Sequence, residues 1–136
     1  MITAHQQEIL IAAARGVMPN ACALFSGFRV GAALMTAEGN IYTGINVESS
    51  SYGGTICAER TALVKALSEG ERVFTAIAIA TDAASPTMPC AICRQLLHDY
   101  APDLLIISEA GGSIVEISLA ELLPLAFTPD SLKIVR

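Results

Sequence analysis

Val73-Phe74-Thr75-Ala76-Ile77-Ala78-Ile79-Ala80-Thr81 is a dense apolar run of strand length, suited to a central strand buried on both faces. The most informative residues of the chain lie on either side of it. Upstream, Cys57-Ala58-Glu59 opens a helical stretch that runs to Ser68 and stops at Gly70. Downstream, Ala83-Ala84-Ser85-Pro86-Thr87-Met88-Pro89 reads as a loop that delivers Cys90-Ala91-Ile92-Cys93 to a second helix ending near Tyr100. Both cysteine segments then fall at strand-to-helix junctions on one side of a sheet, where open α/β sheets place their sites.

Further outward, Thr3 is suited to cap a helix reaching about Met18, with Ile9, Leu10, Ala13, Ala14 and Val17 on its inner face. Residues 28–36 and 41–47 read as two antiparallel strands around the turn Ala37-Glu38-Gly39-Asn40. Residues 48–56, rich in Ser and Gly without periodicity, read as a loop. Residues 104–108 and 114–118 are two more short strands around Gly111-Gly112, and a short helix over 119–123 ends at Pro124. This order predicts an α/β fold, a mixed five-stranded sheet with helices on its faces, in one domain spanning residues 1–136.

The apolar fraction is 53% in a chain of 136 residues, more than a small monomer conceals, so part of the surface is expected to lie against other copies. A net charge of -5 with eight scattered basic residues opposes binding to a nucleic-acid backbone and favours a small substrate. The early apolar run at 9–14 is too short for a leader or a membrane span, which makes the cytoplasm the default location. Cysteines in a reducing compartment read as metal or redox chemistry rather than as disulfides.

Cys90 and Cys93 are spaced to share one face in the first turn of a helix, so both can bind one ion, and Cys57 supplies a third thiol from a different helix. Helix N-termini favour thiolate over thiol. Structural zinc takes four protein ligands, and His5, His98 and Cys22 all lie outside the motif. Three thiolates around Zn²⁺ with a fourth position for water is therefore the expectation, with Glu59 near that water as a proton carrier. Three thiolates leave the ion with a formal charge of -1. Arg60 and Arg94, each directly after a ligand cysteine, are expected to hydrogen-bond the sulfurs and restore the metal's acidity. The competing readings are plainer: C-x-x-C as a redox pair, Glu59 as a solvated helix residue, and Cys22 as a small buried hydrophobe.

Several stretches together are more specific than C-x-x-C. They are Phe28-Arg29-Val30-Gly31-Ala32, Gly44-Ile45-Asn46-Val47-Glu48, Cys57-Ala58-Glu59-Arg60-Thr61-Ala62, Pro89-Cys90-Ala91-Ile92-Cys93-Arg94-Gln95 and Leu122-Leu123-Pro124-Leu125-Ala126-Phe127. Through them nearly the whole chain resembles the small homotetrameric cytidine deaminases. The resemblance implies a three-layer α/β/α sandwich, one Zn²⁺ per subunit on Cys57, Cys90 and Cys93, and Glu59 as the proton shuttle between the metal's water, ring N3 and the departing amine. It further implies that Asn46 and Glu48 bind the ribose hydroxyls and that Phe28 and Ala58 contact the substrate. Phe127 would cover the base from a neighbouring subunit of a tetramer.

The activity implied is conversion of cytidine and 2′-deoxycytidine to the uridine nucleosides with loss of ammonia, as in pyrimidine salvage. Ser49, Ser50, Met88 and Ala91 depart from the common pattern, and Met88 adds bulk near where the exocyclic amine would lie. Two alternatives stand beside this reading. One is deamination of another aminopyrimidine or aminopurine nucleoside, such as a nucleoside antibiotic. The other is a zinc-stabilised binding module without catalysis, which the presence of Glu59 opposes.

Overall fold

A computed structural model describes residues 2–134. Five strands form one mixed sheet in the order β2-β1-β3-β4-β5. They are β1 (Val30–Thr36), β2 (Ile41–Ile45), β3 (Phe74–Thr81), β4 (Leu105–Ala110) and β5 (Ser113–Ser118). The run at 73–81 is indeed the middle strand, with Ala76, Ile77, Ala78 and Ala80 wholly buried. Only Val73, expected to begin it, is left outside and exposed. β3 runs antiparallel to β1 and parallel to β4, and the hairpins β1–β2 and β4–β5 complete the edges. The expected five-stranded α/β architecture is the one observed.

Side-chain alternation sorts the strands between two apolar layers. Ala33, Met35, Ala76, Ala78, Ala80 and Ile107 point to one face, where Leu10 and Ala14 of α1 (Ala4–Val17) cover them. Ala32, Leu34, Ile77, Ile79 and Ile106 point to the other. That face is covered by α2 (Ala58–Ser68), α3 (Ala91–Tyr100) and the short α4 (Leu119–Leu122). The result is three layers. Small alanines on the α1 side let that helix seat on strand backbone, while the opposite layer takes the larger aliphatics.

Thr3 caps α1 as expected: its hydroxyl accepts from the Gln6 amide, and the Gln6 side chain accepts from the Thr3 amide. The buried stripe of α1 is rotated from the expected one, because Ile9 is exposed while Met18, just past the helix end, is buried. Docking on a sheet rather than a groove explains this, since a narrow stripe centred on Leu10 and Ala14 suffices.

Gly44 of β2 sets the position of α2. A β-carbon there would lie 2.4 Å from the Ala58 carbonyl oxygen and 2.4 Å from the Ala62 amide nitrogen, so the helix backbone rests directly on the strand. Cys57 and Glu59 are placed by that contact.

Candidate metal centre and cavity

Cys57 and Cys90 occupy equivalent places as the residues capping the N-termini of α2 and α3, both in extended backbone. Neither sulfur is spent on a capping hydrogen bond, so both remain available. Cys93 lies in the first turn of α3 and is wholly buried. The three sulfurs fall within 4.8 Å of one another, with Cys57 to Cys90 at 3.7 Å and Cys90 to Cys93 at 3.5 Å. Ligands about 2.3 Å from a tetrahedral zinc are about 3.8 Å apart, so these separations suit one shared ion.

The protonation of the cluster carries the same message. A hydrogen bond from Cys93, reinforced by Arg60 and Cys90, holds the Cys57 thiol well below its ordinary range. Cys93, facing Cys57 from a buried position, is pushed up. Sulfurs this close become thiolates together only when a cation shares them, and a thiol-rich tetrahedral donor set selects zinc.

Glu59, on the first turn of α2, is 4% exposed and still lines the cavity in front of the sulfurs. Burial, followed by the nearby Cys57 charge, pushes its carboxyl up to about 7. A carboxyl of that kind exchanges protons readily near neutrality.

The two expected partners of the sulfurs behave differently. Arg60 reaches Cys57 Sγ at 3.8 Å and ties the Thr55 carbonyl at 3.0 Å. Arg94 does not touch a sulfur: its guanidinium donates to the Pro89 carbonyl at 2.7 Å and the Leu122 carbonyl at 2.9 Å. Those free carbonyls flank α3 and outcompete a diffuse sulfur as acceptors, so Arg94 steadies the backbone just before Cys90. On the same loop, the buried Ser108 of β4 accepts from the Thr87 amide at 2.9 Å and donates to the Thr87 carbonyl at 2.8 Å. This cross-link between loop and sheet had no signature in the sequence.

The cavity, about 260 Å³, is lined by Cys57, Glu59, Thr87, Met88 and Cys90 together with Ser26, Phe28, Val30, Asn46 and Glu48. It is of the scale of small-ligand sites. Asn46, 7% exposed, is clamped: its side-chain oxygen accepts from the Val30 amide at 2.9 Å, and its Nδ2 donates to the Phe28 carbonyl at 2.8 Å. Glu48 Oε1 accepts the amides of Phe25 at 2.9 Å and Ser26 at 3.0 Å. Hydrogen bonds from Ser26, first its hydroxyl and then its amide, keep the Glu48 carboxyl below its ordinary value.

Of the sequence-derived residues, Phe28, Asn46, Glu48, Cys57, Glu59 and Cys90 meet at this cavity. Cys93 and Ala58, the first residue of α2, are wholly buried and do not line it. Phe127 lies elsewhere in its own subunit, exposed, with its carbonyl held by Gln95 at 3.0 Å. Cys22 is exposed rather than buried, because its backbone bridges to Val47 and turns the side chain outward to solvent. Ser26, Thr55, Thr81 and Thr87 line the cavity without having been singled out from the sequence. The Ser immediately before Gly27-Phe28 was the readable signal among them.

A three-thiol centre, a buried carboxyl in front of it and a cavity of nucleoside scale define a zinc enzyme of the deaminase class. The family model described as the cytidine and deoxycytidylate deaminase zinc-binding region matches residues 4–109, and the chain belongs to that family. It is 42% identical over 128 residues to a cytidine deaminase of Halalkalibacterium halodurans, covering 93% of this chain and 97% of that one. It is 35% identical over 107 residues to a blasticidin-S deaminase of Bacillus cereus, covering 73% and 76% respectively. Among solved structures, the cytidine deaminase from Burkholderia pseudomallei superposes with a TM-score of 0.87 at 42% identity, covering 93% of this chain and 100% of that one.

Proposed function

We propose that this protein is a cytidine deaminase, converting cytidine and 2′-deoxycytidine to uridine and 2′-deoxyuridine with release of ammonia. The observation that carries the reading is Glu59, buried yet open to the same cavity as Cys57 and Cys90, a cavity that Asn46 and Glu48 also line. Zinc held by Cys57, Cys90 and Cys93 supplies a Lewis acid that makes water nucleophilic near neutral pH.

The chain's own residues supply the rest. Glu59 accepts a proton from the water that adds to C4 and passes it to ring N3. It then takes the remaining proton from the C4 hydroxyl and passes it to the exocyclic amine as the C4–N bond breaks, giving the uracil nucleoside and ammonia. Arg60 steadies the Cys57 sulfur, and Arg94 and Ser108 fix the loop that carries Cys90. Phe28 offers an aromatic surface at the cavity wall, and Glu48 accepts a sugar hydroxyl.

We place the catalytic unit in one domain over residues 1–136 and the working enzyme in a homotetramer. The strongly exposed Leu24, Phe25, Tyr52, Ile92, Leu125 and Phe127 support association, and in this reading Phe127 covers the base in a neighbour's cavity. Free thiols throughout the described residues suit a cytoplasmic enzyme of pyrimidine salvage. Among the described residues no helix is long and apolar enough to cross a membrane.

A second reading, supported by the similarity to a blasticidin-S deaminase, is deamination of another aminopyrimidine or aminopurine nucleoside on the same machinery. A panel of cytidine, deoxycytidine, adenosine and a cytosine-containing antibiotic, read by ammonia release on protein of measured zinc content, tests both. Turnover of cytidine with about one zinc per chain is expected. A zinc-loaded protein that releases ammonia from none of them is a binding module.

A further inference from the structure

The sugar side of the cavity turns on one hydroxyl. Ser26 Oγ donates to Glu48 Oε2 and accepts from the Phe28 amide at 3.0 Å, while the Ser26 amide donates to Glu48 Oε1 at 3.0 Å. Gly27, with φ at 70°, makes the tight turn that brings the Phe28 amide back onto that hydroxyl. Each carboxylate oxygen has two acceptor positions. On Oε1 both are taken, by Phe25 and Ser26, and on Oε2 one is taken by the Ser26 hydroxyl. Glu48 therefore keeps a single acceptor position, on the oxygen that Ser26 steers. Glu48 and Ser26 both line the cavity, and Phe28 does so as well.

We propose that Ser26 is the positioning residue of the sugar end: it orients the Glu48 carboxylate to receive one hydroxyl and locks that grip to the aromatic wall at Phe28. The assignment rests on the nucleoside reading given above. It has a physical motive: the Phe25 and Ser26 amides hold only Oε1, and the Ser26 hydroxyl adds the one bond that fixes Oε2, so less orientation entropy is lost at each binding event.

The test compares wild type, Ser26→Ala and Ser26→Thr as zinc-loaded protein, with steady-state deamination of cytidine and calorimetric binding of uridine. Ser26→Ala is expected to raise KM and weaken uridine binding about tenfold, the worth of one hydrogen bond to a charged group. Its kcat, zinc content and melting temperature are expected to stay at wild-type values, because Ser26 is exposed and bonds to Glu48 and Phe28 rather than to a sulfur. Ser26→Thr, which keeps the hydroxyl, is expected to restore both constants. An unchanged KM in Ser26→Ala, or a loss confined to kcat, overturns the assignment alone. A wild type that neither deaminates cytidine nor binds uridine overturns the nucleoside reading and the assignment with it. A wild type that binds uridine without turnover rejects only the catalytic reading, and the calorimetry still decides on Ser26.

Discussion

Cys57, Cys90 and Cys93 stand on two helix N-termini packed against the sheet, whereas Ser26, Phe28, Asn46 and Glu48, which line the cavity with Cys57 and Cys90, stand on chain with little regular structure. The sulfur wall inherits its rigidity from α2 and α3, whose buried Ala62, Leu63 and Leu97 are part of the core. The other wall is held by side chains bonding to backbone: Asn46 to residues 28 and 30, Glu48 to residues 25 and 26. Metal chemistry tolerates errors of a few tenths of an ångström poorly, so it sits on the stiff wall. Recognition of a sugar tolerates more, and its wall can be rebuilt without disturbing the metal.

The strongest way to break this contrast is Cys90→Ala. It is expected to remove zinc and bring ammonia release below detection, with metal analysis and an activity assay as the checks. Glu59→Ala keeps the sulfurs and is expected to lower kcat by about 10²- to 10⁴-fold while zinc content stays at wild type. Retained turnover in that variant would remove Glu59 from the chemistry. Arg60→Gln is expected to weaken zinc retention about 10- to 100-fold in a chelator competition, because it removes the donor to the Cys57 sulfur. On the soft wall, Asn46→Ala leaves the Val30 amide and Phe28 carbonyl without their partner. It is expected to cost about 1–3 kcal/mol in denaturant unfolding, with zinc content unaffected. Smallest of all, Met88→Ser is expected to shift the ratio of kcat/KM between cytidine and a bulkier aminopyrimidine nucleoside by only a few-fold, since apolar contacts discriminate weakly.

The same division governs how much the sequence reveals. The succession of helices and strands, the capped first helix and the placement of the sulfurs follow from periodicity and ligand spacing, which are local patterns. The partners of Arg94 do not, because Pro89 and Leu122 approach it only after α3 and α4 have packed. Ser108 and Thr87 pair across 21 residues with no motif between them. Cys22 looked like a core residue by type, yet its backbone is pinned to Asn46 and Glu48, which leaves the side chain no inward direction. Ile9 was placed inside by helical spacing alone, and the flat sheet beneath α1 needs a narrower stripe. Long-range pairing of polar side chains with backbone is what sequence patterns carry least well.

The absent methyl at Gly44 has a consequence for adaptation. Because α2 bears on that strand while Cys90 and Cys93 ride on α3, any larger side chain there would carry one ligand and the proton carrier away from the other two. Variants selected for roomier substrates are thus expected to change the irregular chain around Ser26, Phe28 and Glu48, and the spacing of helix on sheet is left as an invariant ruler.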